Sequence, residues 1–312
     1  MRAAKTLERG LQAIHHALGP VIAEALADAQ VVEVMVNPDG LIWVDRMGTG
    51  RHTVGELDRS AAETVLRCLA DHAGVTVTRD HPLVSATLPV TGERFMGTFP
   101  PITAAPSFAI RKRPTRIFGI DDYLAQGIMT AEQAATIRAA VASRQNILII
   151  GGTGSGKTTL ANAILAEPAI ANDRVVMIED TPELQCSATD TVSMVTKTTD
   201  PVVTMADLVK ATLRLRPDRI IIGEVRDGAA LDMVKAWNTG HPGGLATLHA
   251  NSPLDALYRI EDLIGEVVSK TPQRQIAAAI NIIVQIRRTS EGRRVDEVKR
   301  VHLGDSSGYN LA

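Results

Sequence analysis

The eight-residue run Gly151-Gly-Thr-Gly-Ser-Gly-Lys-Thr158 constrains this chain more than any other stretch, because it fills the phosphate-binding pattern G-x-x-x-x-G-K-[ST] without a mismatch. Such a loop needs glycine where the backbone wraps an anion closely enough for successive N–H groups to point inward, since a Cβ clashes there. Lys157 adds a mobile positive charge, and the Thr158 hydroxyl suits a Mg²⁺ that already holds phosphate oxygens. The flanks agree with the motif. Asn146-Ile-Leu-Ile-Ile150 is a β-branched apolar run that reads as a buried strand, and Thr159-Leu-Ala-Asn-Ala-Ile-Leu165 has helical composition. The loop therefore joins a strand end to a helix start, where the helix dipole favours anions. A nucleoside triphosphate is the first ligand to consider.

The rest of the composition narrows the function classes. A length of 312 residues suggests about two domains, each with its own core. With 33 basic and 35 acidic residues the net charge is −2, so no global field draws the chain to nucleic acid or to an anionic membrane. Aromatics are 3% of residues, which leaves no base-stacking platform. Residues 1–30 contain no signal-peptide core, and no apolar run approaches the roughly 20 residues of a membrane span. A cytosolic or peripheral protein without direct nucleic-acid binding is expected. Cys68 and Cys186 lie far apart without C-x-x-C spacing, so neither a zinc module nor a disulfide framework is indicated.

Two halves with different patterning follow one another. Residues 1–30 place Leu7, Leu11, Ile14, Leu18, Ile22 and Leu26 at helical steps, interrupted at Gly19-Pro20. Val31-Val-Glu-Val-Met-Val36, the turn Asn37-Pro-Asp-Gly40 and Leu41-Ile-Trp-Val44 predict a hairpin. Ser60-Ala-Ala-Glu63 reads as a capping box opening a helix to about Ala73, and strands are expected at 94–99 and 107–110. This gives a small α+β domain over 1–113, with Pro114 marking its exit and 114–128 as a linker. From 129 to 312 helix and strand alternate, the signature of an α/β layer fold around a mainly parallel sheet. A helix capped by Thr130 and Gln133 precedes the strand into the loop. Further strands are expected at 174–178, 219–222 and 245–248.

In open parallel sheets ligands sit at the carboxyl ends of the strands, so the residues just past those ends matter most. Here they are Glu179-Asp180, Glu224 and His249. Triphosphate hydrolysis needs a metal bridging phosphates, a group to orient or deprotonate water, and positive charge to offset the transferring group. One carboxylate for the metal and another for water meet two of those needs. An acidic residue after one strand is more often a helix cap or a solvated loop; several such ends beside a full phosphate loop reverse that preference. His249 closes a strand just before the helix signal Ser252-Pro-Leu-Asp255, a position from which an imidazole can hydrogen-bond a γ-phosphate. The basic run Arg111-Lys-Arg-Pro-Thr-Arg116 is most simply a solvated segment; the alternative is an arginine reaching a triphosphate on another domain or subunit.

Taken in order, residues 151–158, Ile178-Glu-Asp-Thr-Pro-Glu183, Ile222-Gly-Glu-Val-Arg-Asp227 and the stretch 239–252 with His241 and His249 resemble the Walker A, Asp box, Walker B and His box of type II/IV secretion ATPases. The likeness covers roughly residues 30–290 and is nearest to the conjugative-transfer, TrbB-like branch of the type IV group. It implies a RecA-like P-loop ATPase domain behind a PAS-like N-terminal α+β domain, assembled as a homohexamer. ATP and Mg²⁺ are the implied cofactors. The implied place is the cytoplasmic face of the inner membrane, among the membrane and cytoplasmic components of a conjugation machine. By motif position Gly151, Gly152, Thr153, Gly154, Ser155, Gly156, Lys157, Thr158 and Thr159 would bind phosphate, with Thr158 and Glu179 on Mg²⁺. Glu224 would activate water and contribute to the metal. His249 and His241 would sense nucleotide, and Arg226, Arg111 and Arg113 are the implied charge-stabilising arginines. The segment departs from the general P-loop form, because Gly223-Glu224 stands where an aspartate commonly closes the strand, which leaves open how Glu179 and Glu224 divide the work. A docking scaffold, a pilus-retraction motor and a nucleic-acid translocase are the competing readings.

Overall fold

The computed structural model describes residues 2–89, 91–113, 117–304 and 308–312, with side chains from residue 12 onward. The side chains of Leu7 and Leu11, and the whole of Pro114 and Arg116, lie outside the described residues. The chain forms two units, 1–115 and 116–312.

In the first unit α1 (Arg2–Ala27) is broken at Gly19, whose φ of 72° is not helical, immediately before Pro20. Strands β1 (Val31–Val36), β2 (Leu41–Arg46) and β3 (Gly50–Glu56), helix α2 (Arg59–His72), and strands β4 (Leu83–Thr87), β5 (Arg94–Thr98) and β6 (Ser107–Arg111) complete it. The sheet order is β3-β2-β1-β6-β5-β4 and every pairing is antiparallel. Alternation along β1 and β2 turns Val34, Val36, Ile42 and Val44 onto the core, where they meet Ile22 of α1 and Leu66 and Leu69 of α2. The predicted hairpin forms as read. The start of α2 does not: Asp58 caps it, its Oδ2 accepting the Ser60 amide at 2.8 Å, while Glu63 pairs with Arg67 one turn on. A carboxylate in extended backbone two residues earlier outcompetes the Ser60 hydroxyl for the open amides.

The second unit opens with α3 (Ile120–Ala125) and α4 (Ala131–Ala142), the latter held by a reciprocal Thr130–Gln133 capping box. Helix α3 falls within the 114–128 stretch, and its Ile120 and Tyr123 are buried in this unit's core. Then come β7 (Ile147–Ile150), α5 (Lys157–Leu165), β8 (Arg174–Glu179), β9 (Asp190–Val195), α6 (Met205–Thr212), β10 (Arg219–Ile222), α7 (Ala229–Asn238), β11 (Leu245–Leu248), α8 (Pro253–Gly265), α9 (Gln273–Ala279), β12 (Ile282–Thr289), β13 (Gly292–Leu303) and β14 (Tyr309–Leu311). The order β14-β13-β12-β7-β11-β10-β8-β9 is parallel from β12 to β9, with β13 and β14 antiparallel at one edge. Strands β7, β10 and β11 are buried at every position, so they carry continuous apolar runs rather than alternation. One core lies on each sheet face: α6–α9 cover one, α3–α5 the other. All parallel strands therefore deliver their carboxyl ends to one edge of the sheet.

Candidate nucleotide site

The phosphate loop leaves the end of β7 and enters α5 through backbone that only glycine adopts easily. Gly154 and Gly156 have φ of 70° and 100°, and Gly156 serves as the N-cap without any side-chain hydrogen bond, so the first amides of α5 stay open. A Cβ on Gly151 would collide with the Ile286 carbonyl of β12 and lie 2.7 Å from Ser155 Oγ. Gly152, Thr153 and Gly154 are exposed, whereas Ser155 and Lys157 are buried, and Thr158 and Thr159 are half-buried in the first turn of α5. Lys157 Nζ donates to the carbonyls of Gly151 and Gly152, both at 3.0 Å, so its ammonium lies along the inside of the loop. Ser155 Oγ is buried with no hydrogen-bond partner among the described residues, a polar atom that an oxyanion in the loop would satisfy.

From Lys157 a line of charge runs across the sheet edge. Its Nζ is 3.3 Å from His249 Nδ1, at the end of β11, and His249 Nε2 is 2.8 Å from Glu224 Oε1, just past β10. Burial, and then the neighbouring Lys157, hold the His249 imidazole below its ordinary value against the upward pull of Glu224, so neutral imidazole accepts from Lys157. The Glu224 contact lacks hydrogen-bond geometry, leaving the buried Oε1 without a donor. The other oxygen, Oε2, takes both Nε (2.7 Å) and Nη2 of Arg226, whose Nη1 reaches 3.7 Å from Asp180. Burial pulls the Arg226 guanidinium down, but Glu224, with Asp180 and Glu183, holds it above its ordinary value. The β10 end is fixed by Thr247 Oγ1 donating to the Gly223 carbonyl (2.5 Å) and by the Val225 amide donating to Thr247 (2.9 Å).

Glu179 is buried beneath this line. Its Oε1 accepts the amides of Glu183 (2.8 Å) and Leu184 (2.9 Å), so it folds the loop after β8, and a Cβ on Gly223 would sit 2.8 Å from its Cγ. That close approach accounts for glycine before Glu224. The donors Thr158, Glu179 and Glu224 are all hard oxygens. No group of three or more His, Cys, Asp or Glu side chains gathers for a metal among the described residues. This set suits Mg²⁺, which takes one or two protein oxygens and completes its shell with phosphate and water.

The structure separates the two histidines. His241 precedes β11, at the amino end of the strand that His249 closes, and its Nδ1 is 3.2 Å from the Pro217 carbonyl. Within the subunit it is thus across the sheet from the phosphate loop. The glycines after it make room for side chains: a Cβ on Gly243 would lie 2.6 Å from Arg219 Nη1, and one on Gly244 would strike the Trp237 indole. Arg111 ends β6 of the first unit, and Arg113 packs there against Gly92. Sequence reasoning overlooked Arg259 of α8, which lines a recess with Glu224, Arg226 and His249; its signal was a cation in the helix directly following His249.

A P-loop on a parallel sheet, with carboxylates and an imidazole at adjacent strand ends, defines a RecA-like nucleotide-binding domain. Residues 22–306 match the type II/IV secretion system protein family. The chain is 48% identical over 305 residues to the conjugal transfer protein TrbB of Rhizobium radiobacter, covering 97% of this chain and 92% of that one. It is 46% identical over 313 residues to the probable conjugal transfer protein TrbB of Sinorhizobium fredii, covering 100% and 95%. Among solved structures, the VirB11 ATPase of the Brucella suis type IV secretion system, in complex with sulphate, aligns with a TM-score of 0.50 at 25% identity over 95% of this chain and 96% of that one. The chain belongs to the type II/IV secretion ATPase family, in its TrbB-like conjugal-transfer branch. No helix among the described residues is long and apolar enough to cross a membrane.

Proposed function

We propose that this chain is an ATP-hydrolysing motor that works as a homohexameric ring at the cytoplasmic face of the inner membrane and powers pilus assembly or substrate transfer by a conjugative type IV secretion machine. The observation that carries the reading is the line Lys157–His249–Glu224–Arg226, which joins a complete phosphate loop to a carboxylate oxygen that has no donor. The loop amides and Lys157 bind the β- and γ-phosphates. Thr158 and Glu179, with Glu224 nearby, are the residues that would hold Mg²⁺, which when bound offsets phosphate charge. Glu224 Oε1 takes a proton from water as the water oxygen bonds to the γ-phosphorus; the bond to the β-phosphate oxygen breaks, and ADP leaves. His249, neutral, donates to a γ-phosphate oxygen once its proton resides on the nitrogen facing it. Arg226 holds Glu224 Oε2 in this subunit and leaves Oε1 to act as the base. Arg111 and Arg113 are proposed to reach a triphosphate on another domain or a neighbouring copy, and His241 to sense nucleotide across a subunit boundary.

The test is Mg²⁺-dependent ATP turnover per subunit across a range of protein concentrations, with Lys157→Ala as control. A rise to a plateau that the control lacks is the expected result for a site completed by assembly. Turnover equal in the parent and the control would sink the reading.

A further inference from the structure

Glu224, Val225, Arg226, Leu248, His249 and Arg259 line a recess of about 210 Å³. No loop residue contributes to its wall; the His249 imidazole, which does, touches Lys157 of the loop at 3.3 Å and 3.4 Å from its two ring nitrogens and Glu224 at 2.8 Å. The charges in the wall do not balance. Arg226 is shared between Glu224 and Asp180. Arg259 makes no hydrogen bond or ion pair among the described residues, even with Asp255 one turn before it on α8, so its guanidinium brings a surplus positive charge to the recess. A planar five-donor fork without a carboxylate is suited to a tetrahedral oxyanion, which it grips through paired charge-assisted hydrogen bonds.

We propose that this recess is a holding site for inorganic phosphate, in which Arg259 binds the product that has left the phosphate loop and delays its escape. The proposal rests on the ATPase reading above and deepens it: the γ-phosphoryl group, cleaved beside Glu224, moves from the loop into a chamber to which α8 contributes Arg259. Occupancy of the chamber then ties phosphate release, a step that limits many nucleotide-driven cycles, to the position of the helix that directly follows His249.

Two measurements on the full chain test this. In steady-state turnover with added inorganic phosphate, the parent is inhibited, Arg259→Ala raises the inhibition constant by about tenfold, and Arg259→Lys, which keeps the charge but loses the fork, falls between them. In calorimetry, inorganic phosphate binds the parent loaded with Mg²⁺ and ADP, and Arg259→Ala weakens that binding by a similar factor. Arg259 is exposed, and matching circular dichroism spectra check that the variants keep the fold. A parent that neither binds phosphate nor is inhibited by it overturns the proposal. So does an Arg259→Ala variant with unchanged phosphate inhibition, whether its KM for ATP rises, which puts Arg259 on the γ-phosphate, or its concentration dependence disappears, which puts it on a neighbouring copy. Absence of turnover in the parent defeats the ATPase reading alone, because calorimetry still decides whether the recess holds phosphate.

Discussion

The two ends of the same parallel strands carry similar side chains in opposite states. At the amino ends, Arg219 is 2% exposed; its Nε donates to Asp173 at 2.5 Å, Nη2 to the Val141 carbonyl at 3.0 Å and Nη1 to Gly243 at 3.3 Å. Asp173 also takes Arg144, and Asn146 at the start of β7 binds Ala279 and Gly244. At the carboxyl ends, Lys157, His249, Glu224 and Arg226 contact one another across a partly solvated edge, and Glu224 keeps an oxygen without a donor. The difference teaches that charge in this domain serves two ends. Where the donors of a buried arginine are matched, removing one partner should cost stability; where contacts are exchangeable, it should cost chemistry.

Exchange of Glu224 for Gln is the sharpest way to break that contrast. Glutamine keeps the shape and removes the proposed proton acceptor, so turnover should fall by about 10²–10⁴-fold while nucleotide affinity and the melting temperature stay near the parent's. Turnover close to the parent's would take Glu224 out of the mechanism. The matching change at the other end is Arg219→Met, which leaves the Asp173 carboxylate with Arg144 alone. A loss of about 1.5–3 kcal/mol is expected, less than for a fully stranded buried charge because Arg144 remains, read from the denaturant midpoint of the second unit. An unshifted midpoint would mean that the network does not hold the strand ends together.

How legible each end was follows from its chemistry. The phosphate loop demands particular residues at particular steps, so it could be read directly, and Glu179, Glu224 and His249 followed because each closes a recognisable apolar run. The Thr130–Gln133 capping box was equally plain, being a local pattern. Asp58 escaped because a cap is chosen by backbone angles, and Ser60 offered the same pattern two residues later. Strands β12 to β14 were missed although Ile282-Ile-Val-Gln-Ile286 is as apolar as β7, since its hydrogen-bonded neighbour β7 lies more than 100 residues earlier in the chain. The opposite placement of His241 and His249 was also hidden: two histidines eight residues apart look like one site until a four-residue strand is laid between them. Arg259 carries no motif, and only the fold of α8 against the strand ends brings it to Glu224.

Smaller effects sharpen the comparison further. Because the folded His249 value lies below the ordinary one, the unfolded chain takes up this proton more readily than the folded one. Its contribution to stability is therefore complete above about pH 6.5 and is lost as pH falls through the lowered folded value. His249 is 47% exposed, so solvent screens the effect. His249→Gln should flatten the fall in melting temperature between about pH 8 and pH 5, and an identical fall in parent and variant would contradict the assignment. His241 should give the smallest response. It contributes one contact to Pro217, so His241→Ala should lower stability by about 1 kcal/mol or less and leave turnover near the parent's. A large loss of turnover that appears only at concentrations where the chain assembles would instead assign His241 to a neighbouring subunit's nucleotide, and the amino ends of the strands would then serve chemistry through assembly rather than stability alone.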